Sequence, residues 1–172
     1  MMTTTMKATT MTTIWTTTDS PVGELMLVAE GDGADAALTA VMYAPHGTTV
    51  GERDDDNAVL RAARDQLAEY FAGDRTDFDL PMAPHGSAFR QQVWGALREI
   101  PYGTTTTYGA IARGLGLTGH GARAVGLANG ANPLAIVVPC HRVVGSNGKL
   151  TGYAGGLDRK RQLLALEGGA LV

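Results

Sequence analysis

The chain has 172 residues, 44% of them apolar and 18% charged, with a net charge of −3. That length fits one ordinary domain or two small ones, and the composition is globular rather than disordered or membrane-embedded. A single cysteine, Cys140, excludes a disulfide scaffold and a cysteine-rich zinc site.

Residues 1–13 are rich in Met and Thr, carry no apolar period and read as a disordered tail. They lack the basic end, apolar middle and cleavage site of a signal peptide, so the expected compartment is the cytoplasm, where a lone thiol stays reduced. From Ile14 the texture changes. Ile14–Thr18 and Glu24–Ala29 read as two strands joined by the turn Asp19-Ser20-Pro21-Val22-Gly23, and Ala37–Tyr43 as a third strand. Gly47–Asp56 reads as a polar loop. Asp56 or Asn57 can cap a helix through Ala72, whose apolar positions Leu60, Ala63, Leu67, Tyr70 and Phe71 keep helical spacing. These elements make residues 14–80 a small α/β domain. Residues 81–86, Pro81-Met82-Ala83-Pro84-His85-Gly86, read as a linker.

The charge balance flips at that linker. Residues 1–84 hold 5 basic and 14 acidic side chains, net −9, whereas residues 85–172 hold 9 basic and 3 acidic ones, net +6. The second half is therefore the one suited to a polyanion.

Residues 87–172 read as a mostly helical domain. Ser87 caps a helix to about Glu99, which Ile100-Pro101-Tyr102-Gly103 stops. Thr107 caps a short helix from Tyr108 to about Leu115. A glycine-containing turn then leads to a second short helix, Ala122–Asn129, and the pair predicts a helix-turn-helix. The second helix is almost all small residues plus Arg123, so its backbone can approach another surface closely. Leu134–Val138 reads as a buried strand or extended segment, and it is far short of the ~18 apolar residues that span a bilayer. Asp158–Glu167 reads as the last helix, and residues 168–172 as a fraying tail.

The chemistry centres on Pro139-Cys140-His141-Arg142-Val143. Most free cysteines are inert core fillers. Here an imidazole follows directly, and a cysteine nucleophile needs a base and a positive environment. His141 supplies the first, and Arg142 is the candidate for the second. A carboxylate is wanted to orient the imidazole. Of the three acids in this half, Glu99 and Asp158 match helix termini, which leaves Glu167 and predicts a Cys140–His141–Glu167 relay.

The segments Phe89–Trp94, Ile100–Gly103, Thr107–Gly109, Ala122–Gly126, Asn132-Pro133, Pro139–Val143, Gly152–Gly156 and Leu163–Glu167 occur in this order over some eighty residues. In that series the chain resembles the O6-alkylguanine-DNA alkyltransferases (methylated-DNA–protein-cysteine methyltransferases). Residues 14–84 resemble the family in general shape, which implies a ribonuclease-H-like N-terminal domain. The resemblance implies direct-reversal repair of double-stranded DNA carrying O6-alkylguanine, with O4-alkylthymine as a further candidate lesion. Cys140 would be the acceptor, His141 would take its proton through a bridging water, Glu167 would hold His141 and Asn132 would brace the turn. Tyr108 would bond the flipped base, Arg123 would fill the place the nucleotide leaves, and Ala122 would lie on the DNA-facing helix. The backbone around Val143 and Ser146, with Tyr153, would line the base pocket. Arg98, Arg113 and Arg142 are candidates for phosphate contacts or structural pairing. In this family the helix-turn-helix docks in the minor groove.

The resemblance also implies a monomer with no cofactor and no zinc, because the extra cysteines of relatives with a metal-bound regulatory domain are missing. Ala154 stands where some relatives have serine. Two other readings are a lesion-sensing DNA-binding module whose cysteine does not react, and a generic Cys–His hydrolase. The hydrolase lacks an oxyanion-hole motif.

Overall fold

The computed structural model describes residues 11–45 and 51–168. The predicted tail falls largely outside them, as do residues 169–172; Thr13, however, already belongs to the first strand. Three antiparallel strands, β1 (Thr13–Thr18), β2 (Leu25–Glu30) and β3 (Ala37–Tyr43), form the sheet predicted for the N-terminal half. The polar loop predicted over residues 47–56 is corrected in part. Glu52–Arg53 forms a short strand, β4, which pairs in parallel with Ile14 and Trp15 and gives the order β3-β2-β1-β4. Two exposed polar residues carry no hydrophobic alternation, so this strand left no signal in the sequence.

Helix α1 (Ala58–Phe71) packs across the sheet. Val59, Leu60, Ala63, Leu67 and Tyr70 are buried against Leu25, Leu27, Ala29 and Leu38. The side-chain oxygen of Asn57 accepts from the backbone nitrogens of Val59 and Leu60 at 2.9 and 3.3 Å, and its amide donates to the Gly33 carbonyl at 3.1 Å. One residue thus starts the helix and ties it to the loop before β3.

The C-terminal half is helical: α2 (Ala88–Arg98), α3 (Tyr108–Gly114), α4 (Gly121–Gly130) and α5 (Leu157–Leu166). Ser87 and Thr107 cap α2 and α3 through their hydroxyls, as the sequence predicts. Helices α3 and α4 form the helix-turn-helix, and Trp94 of α2 anchors α4 by donating its indole N–H to the Ala128 carbonyl at 2.9 Å. A two-stranded parallel ribbon joins β5 (Thr106–Thr107) to β6 (Val143–Val144), so the strand entering α3 lies beside the residues that follow Cys140.

Leu134–Val138 is buried, as expected, but it is not a strand. It runs through turns, and Ile136 sits at φ 71°. A β-branched residue in the left-handed region is strained, at a cost of about 1–3 kcal/mol. Short apolar runs do not distinguish a strand from a buried turn. The edge strand β3 holds this segment in place: Val41 N donates to the Pro133 carbonyl at 2.9 Å, and Ala135 N donates to the Val41 carbonyl at 3.3 Å. The residues read as a linker use the same edge, with Leu38 bonded to Pro81 O and Ala83 N. Both halves therefore meet on β3, which leaves that edge covered.

Replacing Asn57 by Ala removes the α1 cap and is expected to lower unfolding stability by about 1 kcal/mol. The urea midpoint measures this, and an unchanged midpoint contradicts the assignment.

Candidate active site

Cys140 opens a single turn of 3-10 helix, Cys140–Arg142, directly after the strained segment. Its backbone nitrogen donates to the Val138 carbonyl at 2.8 Å. Asn132 shapes the same segment, donating its amide to Val138 O at 2.9 Å and Leu134 O at 3.3 Å and accepting from Leu134 N at 3.0 Å. The turn that presents the thiol is thus closed on both sides by one side chain.

His141 is fully buried, and its Nε2 lies 2.7 Å from Glu167 Oε2. Glu167 follows α5 directly and is buried as well. Its carboxylate accepts from Arg142 Nε at 2.7 Å, from Arg142 Nη2 at 3.1 Å and from the Tyr70 hydroxyl at 2.5 Å. Burial alone would raise this carboxyl, but the bonds from His141, Arg142 and Tyr70, with the attraction of His141, outweigh it and hold the group at about 2. Burial depresses the imidazole below 6.5, against the pull of Glu167, so His141 is neutral near pH 7. An ionised carboxylate can only accept, so Nε2 carries the hydrogen. Nδ1 is left with a free lone pair, and it is buried without a hydrogen-bond partner among the described residues.

Burial pushes the Cys140 thiol up, and bonds from Asn132 and Tyr153 with the charge of Lys160 only partly offset this. The resting group is a thiol, and forming a thiolate requires a base. The cation beside it is not the one expected from the sequence. Arg142 is spent on Glu167 and on the Ile100 carbonyl at 2.7 Å, which places it in structural pairing rather than at the thiol or a phosphate. The electrostatic neighbour of Cys140 is Lys160, a fully buried lysine whose ammonium donates to Val143 O at 2.7 Å and Thr151 O at 3.1 Å. A lysine in a helix with three other charged residues reads as solvated, so nothing in the sequence marked it.

A cavity of about 230 Å³ opens beside Cys140, walled by Asn129, Asn132, Tyr153, Ala154 and the end of β3. Of the predicted pocket residues, Tyr153 lines it, whereas Tyr108, Val143 and Ser146 do not. Val143 is buried in the ribbon with its carbonyl taken by Lys160, and Ser146 is exposed. The Tyr108 hydroxyl lies 3.0 Å from the Thr151 hydroxyl. Ala122 and Arg123 stand exposed on α4, and Arg123 has no ion pair or hydrogen bond among the described residues. Arg98 and Arg113 are exposed. Sequence reading missed Tyr70 and Tyr43, which the N-terminal domain brings to the site, and Asn129, whose buried Oδ1 is unpaired among the described residues. A larger groove of about 520 Å³ between α2 and α3 lies away from the thiol.

A helix-turn-helix set beside a buried cysteine and a buried His–Glu pair defines the class: a nucleic-acid-directed protein with a buried thiol at its site. The family model described as 6-O-methylguanine DNA methyltransferase, ribonuclease-like domain, matches residues 13–84, and the DNA binding domain model of the same name matches residues 88–169. A methylated-DNA–protein-cysteine methyltransferase of Mycolicibacterium paratuberculosis is 53% identical over 156 residues, covering 88% of this chain and 90% of that protein. One of Methanosarcina acetivorans is 48% identical, covering 87% and 95%. The crystal structure of Mycobacterium tuberculosis OGT in complex with DNA superposes with a TM-score of 0.79 at 49% identity, over 90% of this chain and 92% of that one. The chain belongs to the 6-O-methylguanine DNA methyltransferase family.

Both pKa shifts in the His141–Glu167 pair act in the same direction on stability. The unfolded chain binds a proton on the imidazole below 6.5 and on the carboxyl below 4.5, more readily than the fold does. Stability therefore falls on acidification, first below pH 6.5 and again from pH 4.5 toward 2. Urea midpoints taken from pH 7.5 downward are expected to show the first loss, and His141→Asn to remove it; an unchanged slope in the variant contradicts a buried neutral imidazole.

Proposed function

We propose that the protein repairs DNA by moving the alkyl group of O6-alkylguanine irreversibly onto Cys140. The observation that carries this is the buried His141, with Nε2 2.7 Å from Glu167 and Nδ1 unpartnered among the described residues, next in sequence to a buried thiol. The Cys140 proton passes to Nδ1, with one bridging water as the family resemblance implies. The thiolate attacks the alkyl carbon, the S–C bond forms and the C–O6 bond breaks. The electron pair leaves on the guanine, and Tyr108 assists that charge. Lys160, Asn132 and Tyr153 favour the thiolate while it exists. The base reaches the sulfur only after extrusion from the stack, because the O6 substituent lies among paired bases.

DNA is held by the basic C-terminal half. Arg123 fills the gap left by the nucleotide, and the small side chains of α4 fit a narrow groove. Affinity comes mainly from phosphate contacts with little sequence preference. The chain divides into residues 14–80 and 87–172 about the 81–86 linker, and it acts as a cytoplasmic monomer. Among the described residues no helix is long and apolar enough to cross a membrane.

The product is a thioether, and no second thiol exists to receive the group. Each molecule therefore reacts once. The added carbon crowds a packed site and destabilises the alkylated fold by about 1–3 kcal/mol. A reactive thiol beside a prepared base weighs against the sensor that binds lesions without accepting the group.

Incubation with duplex containing O6-methylguanine is expected to add about 14 Da, one methyl group, to Cys140 and no more. Cys140→Ser is expected to bind the duplex and gain nothing, and Arg123→Ala to slow transfer from duplex more than from the free alkylated base. Tight binding with no mass change in the wild type would mean a sensor.

A further inference from the structure

The cavity beside Cys140 is not built by the C-terminal domain alone. Val41, Met42 and Tyr43, at the end of β3, close one side of it. Tyr43 is half-buried here and faces Tyr153. Its hydroxyl lies 2.7 Å from the Tyr153 hydroxyl, and the two rings meet edge to face with centroids 6.0 Å apart. Tyr153 in turn lines the same cavity as Cys140 and favours its thiolate. The Tyr43 ring also lies so close to Gly155 that a Cβ there would stand 2.6 Å from it.

Arg159 locks this arrangement. Its guanidinium lies 4.8 Å above the Tyr43 ring. It donates to Val22 O at 2.9 Å and Ala44 O at 3.2 Å on one domain, and to Gly155 O at 3.3 Å on the other. Neither tyrosine can swing away without breaking the hydroxyl pair, and Tyr43 must also leave the stacked cation. The two rings therefore form a fixed wall next to the sulfur, and an alkyl group in transit lies between the guanine oxygen and that sulfur.

We propose that Tyr43, supplied by the N-terminal domain, is a specificity-determining residue that limits the size of the alkyl group Cys140 accepts. This rests on the reading of Cys140 as an alkyl acceptor. A methyl group adds a single carbon at the sulfur and leaves the wall in place. A benzyl group must displace the Tyr43–Tyr153 wall, and closely packed walls discriminate strongly against added carbon.

The test uses the full chain and duplexes carrying either O6-methylguanine or O6-benzylguanine, with single-turnover rates read by intact mass on Cys140. Tyr43→Ala and Tyr43→Leu are expected to raise the benzyl-to-methyl rate ratio about tenfold. Tyr43→Phe keeps the ring and is expected to hold the ratio within about threefold of wild type. The leucine variant keeps an apolar filler over Gly155 and carries the comparison if the alanine variant does not fold. An unchanged ratio in the variants that transfer methyl overturns the proposal, and so does an equal loss of both rates, since a merely structural role moves them together. A wild-type chain that gains neither group overturns the acceptor reading instead, and the two failures are thereby distinguished.

Discussion

A carboxylate buried among donors from two domains organises this protein. Glu167 receives Tyr70 from α1, and His141 and Arg142 from the turn that carries the thiol. Removing that charge from water is costly, and only a full set of donors makes its burial tolerable. Once satisfied, the carboxylate determines which imidazole nitrogen bears the hydrogen. It also ties the end of α5 to the sheet domain, so the orientation of the imidazole and the docking of the domains depend on the same carboxylate.

The second constraint is burial of the thiol itself. An exposed cysteine beside arginine would hold its thiolate at rest and react broadly. Cys140 is instead held as a thiol by its buried surroundings, so the proposed transfer needs a base, the role proposed for His141.

Much of this was legible in the residues. Helix α1 and helix α2 announced themselves through apolar spacing and the caps Asn57 and Ser87, and the choice of Glu167 followed from elimination among three acids in the second half. What was hidden depends on tertiary contact. Tyr70 looks like an ordinary core position on α1, and nothing local announces a partner 97 residues away. Arg142 next to Cys140 invited a role at the sulfur, whereas the turn aims it at Glu167. Lys160 looked solvated because sequence spacing does not show that α5 presses it against Val143 and Thr151. Leu134–Val138 reads as a strand or extended segment from its apolar run alone, and the tertiary stitch to Val41 makes it a turn at Ile136 instead.

The central claim is that His141 rests neutral, with its hydrogen on Nε2 and Nδ1 open toward chemistry. Nitrogen-15 NMR of the imidazole at pH 7 tests it most directly. The account predicts one protonated nitrogen, Nε2, coupled to Glu167, and an unprotonated Nδ1. A doubly protonated ring, or a hydrogen resting on Nδ1, would contradict it.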